Sequence, residues 1–479
     1  MPAYIKGFFA SRTLFRAFAV LLVTLGSLHL LSGLADNMDF NRSITFFIDR
    51  PAGFSSLFPP PGSDEAHRLF LSSWHDKWVF AQSWLQRPAL LTLSSYKAYV
   101  FVQSLFVRLI DCGSGRYSLI IGSLISRAIY FCAFIALFMR LRRAEHLLTT
   151  WIFMLIAAVL ALSADFSAYF NTFFEDQLVI VFLPVIALCI YRSERDAQPA
   201  RAPRWCALLL ATFVGAAKTA FFPLPLIVAP FVMPLFDARR ARLKTAAVLT
   251  VCVAATLLPV FSGAFKSINQ YHAVYAGALS VLSPREIAGI ERIGDKPVLR
   301  ECVNVIAYAP DGPSCMERAH ARYADVVRLA LVKPVIVPRI AQAVFDTGNE
   351  IRIGYLGTKL EHGDNFFNLP VFSWWRDLYR ERLNYAMLAS LVVALVLIAQ
   401  YRGSARAGRL VLLKIASFLG LFGFVGYATS FGDGLADNTR HLIGASYALS
   451  LSAVFFVPGV LALLLRGRGA EPADAQEHA

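Results

Sequence analysis

Apolar runs long enough to cross a bilayer recur along the whole chain, and no other feature restricts its fold as much. A helix needs roughly 17–25 apolar residues to span the hydrocarbon core. Stretches such as "LIIGSLISRAIYFCAFIALF" and "LNYAMLASLVVALVLIAQY" meet that length. Inside lipid, each backbone amide and carbonyl must bond within its own segment, so these runs are helices. With 57% hydrophobic and only 16% charged residues over 479 positions, a set of soluble domains is excluded. The mean hydropathy of +0.55 agrees. The first run, Phe15 to Leu34, lacks a small-residue cleavage site of the A-x-A kind. It reads as a retained first span rather than a removed signal peptide.

The net charge of +14 sets topology rather than a nucleic-acid surface. Short basic clusters at Arg140–Arg143, Arg192–Arg204, Asp237–Lys244, Tyr401–Arg409 and Arg466–Gly469 each adjoin an apolar run. That is the positive-inside pattern. Holding every cluster in the cytoplasm predicts outward spans at 15–34, 147–164, 205–220, 245–262 and 409–429. Inward spans follow at 117–139, 177–192, 222–236, 384–401 and 442–465, giving ten spans with both ends inside. The expected architecture is an all-α polytopic membrane protein with two large outer loops. Residues 1–262 form a seven-span module whose outer loop covers 35–116, residues 263–383 an extracytoplasmic domain, and 384–466 three further spans. The tail 467–479 reads as disordered. Tyr96 to Ile110 is kept outside as an interfacial helix, because a crossing there would invert every later basic loop. In "HRLFLSSWHDKWVFAQSWL", Phe70, Trp74, Trp78, Ala81 and Leu85 recur at helical spacing and predict a second surface helix.

Of seven cysteines, Cys132, Cys189, Cys206 and Cys252 fall in or beside spans and read as small apolar fillers. Cys302 and Cys315 share the second outer loop and are expected to pair, with Cys112 as a competitor. No H-E-x-x-H, C-x-x-C, EF-hand or Walker A pattern is present, so neither a metal set nor a nucleotide engine is indicated.

Charged groups at or inside a span are costly unless paired or wet, which makes them functional candidates. Asp36 and Asp39 follow the first span. Asp165, Asn171, Glu175 and Asp176 occupy the turn "SADFSAYFNTFFEDQ", Lys218 the short hairpin, and Asp433, Asp437, Arg440 and His441 the last outer turn. Each has a plain alternative: acids cap helix N-termini, Lys218 snorkels to the headgroups, and Arg440 with His441 rests at the interface. Arg127 lies well inside its span and is expected to face a polar interior or a partner carboxylate, with Glu175 and Asp176 the candidate partners. Carboxylates suit deprotonating or binding hydroxyls, and cations suit a phosphate. Together at an outer membrane face they suit glycosyl transfer from a polyprenyl phosphate.

This layout resembles the GT-C superfamily of integral-membrane glycosyltransferases. The likeness rests on a first span followed by "ADNMDF" and a Trp-rich outer segment, on "EDQLVIVFLPVIALCIYR", on "GAAKTAFFPLPLIVAP", and on the long outer loop after the seventh span. "INQYHAVYAGALSVLSPREIAGIERIG" looks like bacterial glycan-biosynthesis hexosyltransferases. An early D-x-D-E-x-x-Y-like string is absent, which leaves Asp39, Asp36, or Asp64 with Glu65 as alternatives for the first acid. The resemblance implies an inverting hexosyl transfer with Asp39 or Asp36 as base. Glu175 and Asp176 orient hydroxyls or assist that base, while Arg127, Lys218 and Arg440 beside His441 steady the phosphate. The implied partners are a polyprenyl-phosphate sugar donor, a glycan or lipid acceptor and membrane lipids; the involvement of a divalent cation is left open. The implied place is the inner (cytoplasmic) membrane, with the site facing the periplasm. A surface-polysaccharide polymerase or ligase and a secondary transporter are the rival classes.

Overall fold

The structure is a computed structural model. It describes residues 11–28, 34–35, 44, 47–56, 64–65, 77–81, 94–111, 115–195, 201–232, 239–257, 266–307, 309–348, 356–357, 370–380, 383–404, 406–436 and 438–465. Asp36, Asp39, Cys112, Asp437 and the tail 467–479 lie outside these residues.

A helix occupies each range predicted to span. They are α1 (Arg12–Leu28), α3 (Leu119–Ala144), α4 (Leu147–Ala161), α5 (Asp176–Arg195), α6 (Arg201–Gly215), α7 (Leu224–Val232), α8 (Arg239–Thr256), α14 (Leu383–Tyr401), α15 (Val411–Ser430) and α16 (Asn438–Leu464). The interfacial segment is α2 (Ser95–Ile110). Among the described residues, α3, α5, α14, α15 and most of α16 are long and apolar enough to cross a membrane. A sixth candidate joins α4 to the bent piece Ala164–Phe170, at an angle of 56°. The helices Thr13–Ser27, Thr219–Phe231 and Ala246–Thr256 are apolar but shorter. The chain is therefore a mostly helical, multi-pass membrane protein with five or six full-length spans by this criterion.

Burial separates the middle of the bundle from its rim. In the apolar window of α5, 83% of the residues are buried, against 22% for α14, whose Val392, Val393, Leu395 and Val396 are exposed to the surroundings. The central core runs from Tyr130 and Phe134 on α3 through Leu178, Ile180 and Ile186 on α5 to Leu419 on α15 and Tyr447 on α16.

One prediction for the first outer loop is corrected. Lys77–Phe80 is a strand, β3, and not part of a helix through Trp78. It pairs antiparallel with β2 (Ile48–Pro51) and β4 (Arg116–Ser118) as the middle of a three-stranded sheet. The local sequence Lys-Trp-Val-Phe alternates, burying Trp78 and Phe80 while Lys77 stays exposed, which is the period of a half-buried strand. Only one of the two expected interfacial helices, α2, is seen among the described residues. The strand pair β1 (Leu34–Ala35) and β7 (Leu356–Gly357) joins the first outer loop to the second.

The second outer region has a core of its own, built on Tyr271, Val274, Leu279, Cys302, Cys315, Leu329 and Ile336. Its elements are α9 (Lys266–Ala273), which continues as the π-turn Val274–Ala278, the hairpin β5 (Arg292–Ile293)–β6 (Lys296–Pro297), α10 (Gly312–Ala319), α11 (Tyr323–Val332) and α12 (Ile336–Thr347). Cys302 and Cys315 form the expected disulfide, with Cα atoms 5.6 Å apart. The region docks on the turn between α15 and α16. There Leu435 N–H donates to Ala276 O at 3.2 Å, and Gly434 adopts φ +67°. A Cβ at Gly434 would lie 2.2 Å from His272 O, so backbone meets backbone only because no side chain intervenes.

Candidate functional site

The connection from α4 to α5, Leu162–Glu175, is buried throughout. Loops normally lie on the surface because their polar groups need water. This one carries Ser163, Asp165, Ser167, Asn171, Thr172 and Glu175 into the interior, and Asp176 and Gln177 follow at the start of α5. Its polar groups must therefore be met by protein.

Cations approach the loop from separate elements. Lys218, in the turn between α6 and α7, donates to Asp176 Oδ2 at 2.9 Å and also lies 5.6 Å from the centre of the Phe221 ring. Asp176 is 1% exposed and Lys218 15%. Lys218 therefore does not snorkel alone; it is spent on a buried carboxylate. Asp176 Oδ1 is buried and has no hydrogen-bond partner among the described residues. It faces Gly444 on α16, where an added Cβ would stand 3.3 Å away. Arg127 donates through Nη2 to Asn171 Oδ1 at 3.0 Å and through Nε to Ser123 Oγ at 3.3 Å, so it faces a polar interior. Its guanidinium also lies over the Phe170 ring, at 5.1 Å.

The opposite end of the loop holds a pairing that the sequence reading missed. Arg376, on α13 (Pro370–Arg380), reaches Asp165 Oδ1 at 3.7 Å with both side chains almost fully buried. The neighbouring Trp375 Nε1 donates to Ser450 Oγ on α16 at 2.8 Å, which fixes α13 against the bundle. Two signals pointed there. Asp165 sits in an apolar run and needs an opposite charge, and "SWWRDLYR" sets Ser373, Trp375 and Arg376 on one side of a helix with Trp374, Asp377 and Leu378 exposed on another.

Helix α2 closes the loop from above. Ser94 Oγ donates to Ala217 O at 2.9 Å, and Ser95 Oγ donates to Phe213 O, so the helix start grips the turn that carries Lys218. Further along, Gln103 Nε2 donates to Ser126 Oγ at 2.9 Å, beside Arg127. Between these contacts Tyr96 donates to Thr172 O at 3.3 Å. Burial, and then the nearby Glu175 carboxylate, hold the Tyr96 phenol well above its ordinary value of 10.0, so it remains a donor. The outer sheet covers the remaining side: Trp78 and Tyr117 pack on Phe173 at 5.4 and 5.5 Å between ring centres.

Of the expected site residues, Glu175, Asp176, Arg127 and Lys218 are thus gathered at or around one buried loop. His441 is half-buried at the start of α16, one turn before Gly444. Arg440 is on the same turn, but its side chain and that of Asp433 are outside the description. Asp36 and Asp39 are outside it too, although their neighbours Leu34 and Ala35 pack beside Ala168–Phe170 of the buried loop. Among the described residues no group of three or more His, Cys, Asp or Glu is placed to hold a metal ion.

The YfdI N-terminal transmembrane domain family matches residues 11–287. The chain belongs to that family. The matched stretch contains the buried loop, Arg127 and Lys218, whereas Arg376, Gly444 and His441 lie beyond it. The chain is also similar to the uncharacterized protein YfdI of Escherichia coli (strain K12), at 23% identity over 383 residues, covering 75% of this chain and 79% of that protein. No solved structure matches.

Proposed function

We propose that this protein is an integral-membrane glycosyltransferase of GT-C type that moves a hexose from a polyprenyl-phosphate donor to a glycan or lipid acceptor at the outer face of the cytoplasmic membrane. One observation carries the reading: a buried, carboxylate-bearing loop in the helical bundle, with Lys218, Arg127 and the start of α16 meeting it. In this reading the acceptor hydroxyl gives its proton to a carboxylate as its oxygen bonds to the anomeric carbon. The bond from that carbon to the phosphate oxygen breaks on the opposite face, and its electron pair leaves with the lipid phosphate, so the configuration inverts.

Roles follow from the geometry. Asp176 is committed to Lys218, so it suits orienting the site better than accepting a proton. Glu175 precedes it in chain and is the more exposed of the two, at 9% against 1%. It is the described carboxylate best suited to the base, with Asp39 and Asp36 as the candidates entering from β1. His441 and Arg440, at the N-terminal end of α16, suit the leaving phosphate, because backbone N–H groups and the helix dipole add to their charge there.

The test uses full-length protein in nanodiscs with radiolabelled polyprenyl-phosphate hexoses and a crude envelope acceptor. Sugar transfer by the wild type, lost in Glu175→Gln with an unchanged thermal midpoint, supports the reading. Absence of both binding and turnover by the wild type with every lipid-linked hexose overturns it.

A further inference from the structure

The corner between α11 and α12 is more apolar than its core requires. Residues 329–338 read Leu-Ala-Leu-Val-Lys-Pro-Val-Ile-Val-Pro. Leu329 and Ile336 enter the core of the second outer region. Leu331, Val332, Val335 and Val337 turn outward instead, with Leu331 77% and Val332 67% exposed. Val327 extends the patch one turn back along α11. No aspartate or glutamate occurs from Val326 to Phe345. Within that stretch Arg328 is paired with Asp325 and Arg339 with Glu286. Lys333, in the corner itself, makes no ion pair among the described residues.

Both helices of the corner are tied at their far ends to the ends of spans. At the start of α11, the Tyr323 hydroxyl donates to Gly432 O at 3.1 Å, just past the C-terminal end of α15. At the end of α12, two groups from the first turn of α14 are bonded. Asn384 Nδ2 donates to Phe345 O at 2.7 Å, and the Tyr385 hydroxyl donates to Asp346 Oδ1 at 2.9 Å. α11 has 10 residues and α12 has 12. At about 1.5 Å per residue, the corner stands within roughly 20 Å of those span ends. Trp374 on α13 and Tyr385 are exposed beside the start of α14, and these residue types mark the headgroup level.

We infer that this corner is seated in the interface of the lipid bilayer, with Leu331, Val332, Val335 and Val337 among the upper acyl chains and Lys333 on lipid phosphates. An apolar patch that carries a cation and no acid is what a phosphate-bearing lipid surface takes up. A second copy of this chain fits worse. A two-fold contact through the patch brings Lys333 towards its own counterpart, and the corner has no acid to meet either. Seated in lipid, the corner anchors the second outer region at a point separate from its docking on the α15–α16 turn. The inference does not rest on glycosyl transfer.

The experiment places the photoreactive residue p-benzoylphenylalanine at position 335 of the full chain. The protein is irradiated in nanodiscs of phosphatidylethanolamine and phosphatidylglycerol, and again in native membranes, and its intact mass is measured. A gain equal to one phospholipid is expected in both. Leu331→Asp/Val337→Asp changes two exposed side chains outside the core, so the thermal midpoint should hold while the lipid adduct falls by about tenfold or more. A product of twice the mass, a cross-link to another protein in native membranes, no lipid adduct, or an adduct undiminished in the double variant would each overturn the assignment.

Discussion

Asp325 in the second outer region and Asp176 at the head of α5 are both buried carboxylates, and they are treated in opposite ways. Asp325 binds Lys296 at 3.4 Å, Arg328 at 3.1 Å and the Arg322 N–H at 2.9 Å, so both of its oxygens are engaged. Asp176 has one ammonium on Oδ2, and its Oδ1 lacks a hydrogen-bond partner among the described residues. A buried acceptor left unmet costs about 1–3 kcal/mol. The second region uses its acid to cap α11 and tie it to β6. The buried loop instead keeps an acid at a cost to stability.

The largest effect should come from stripping Asp176 of its partner. Lys218→Met leaves a carboxylate buried alone and is expected to cost roughly 3–5 kcal/mol, read as a lower thermal midpoint in nanodiscs. Asp176→Leu/Lys218→Met should regain most of that loss; a double variant as weak as the single one would break the contrast with Asp325. Next in size, Cys302→Ser/Cys315→Ser should cost about 3 kcal/mol by releasing a short loop. Limited proteolysis is expected to cut within 266–347 first and leave the bundle intact.

Gly444→Ala sharpens the comparison from the other side. Its methyl group would sit 3.1 Å from the Phe221 ring and 3.3 Å from Asp176 Oδ1, costing about 1–3 kcal/mol if the neighbours do not yield. If the proposed transfer runs at this loop, its rate should fall further than the thermal midpoint suggests, because the Asp176–Lys218 pair shifts. The smallest effect belongs to Glu286, half-buried in a pair with Arg339 at 2.7 Å. The hydrogen bond from Arg339, then those from Ser283, pull its carboxyl from 4.5 down to about 2. A lowered value means that its contribution is complete above about 4.5 and is lost as pH falls towards 2. The gap in midpoint between wild type and Glu286→Gln should be constant from neutral pH to about 5, then close as the solution is acidified further.

Periodicity and basic clusters made the helices legible, since every predicted span contains one. Length was less legible. The described part of α7 has 9 residues, and Pro223 with the turn at Lys218 delays its start within an apolar run that composition alone would make continuous. Trp78 was misread because apolar residues at spacings of three and four fit a helix while the shorter stretch Lys77–Phe80 alternates; pairing with β2 and β4 decided in favour of the strand. The acids and cations of the loop were readable as costly charges, but their partners were not. Which cation reaches which carboxylate depends on how distant helices pack, and neither the Arg127 bond to Asn171 nor Gly444 beside Asp176 leaves a trace in local spacing.

The grip of α2 on the Lys218 turn also governs the order in which the chain can assemble. Ser94 and its acceptor Ala217 are 123 positions apart, so α2 leaves the ribosome long before the turn it holds. Asp165 waits longer still, because Arg376 is made only after the whole second outer region. Until α13 is made, a nascent chain lacks the Arg376 contact to Asp165, and any product ending before Pro370 never gains it.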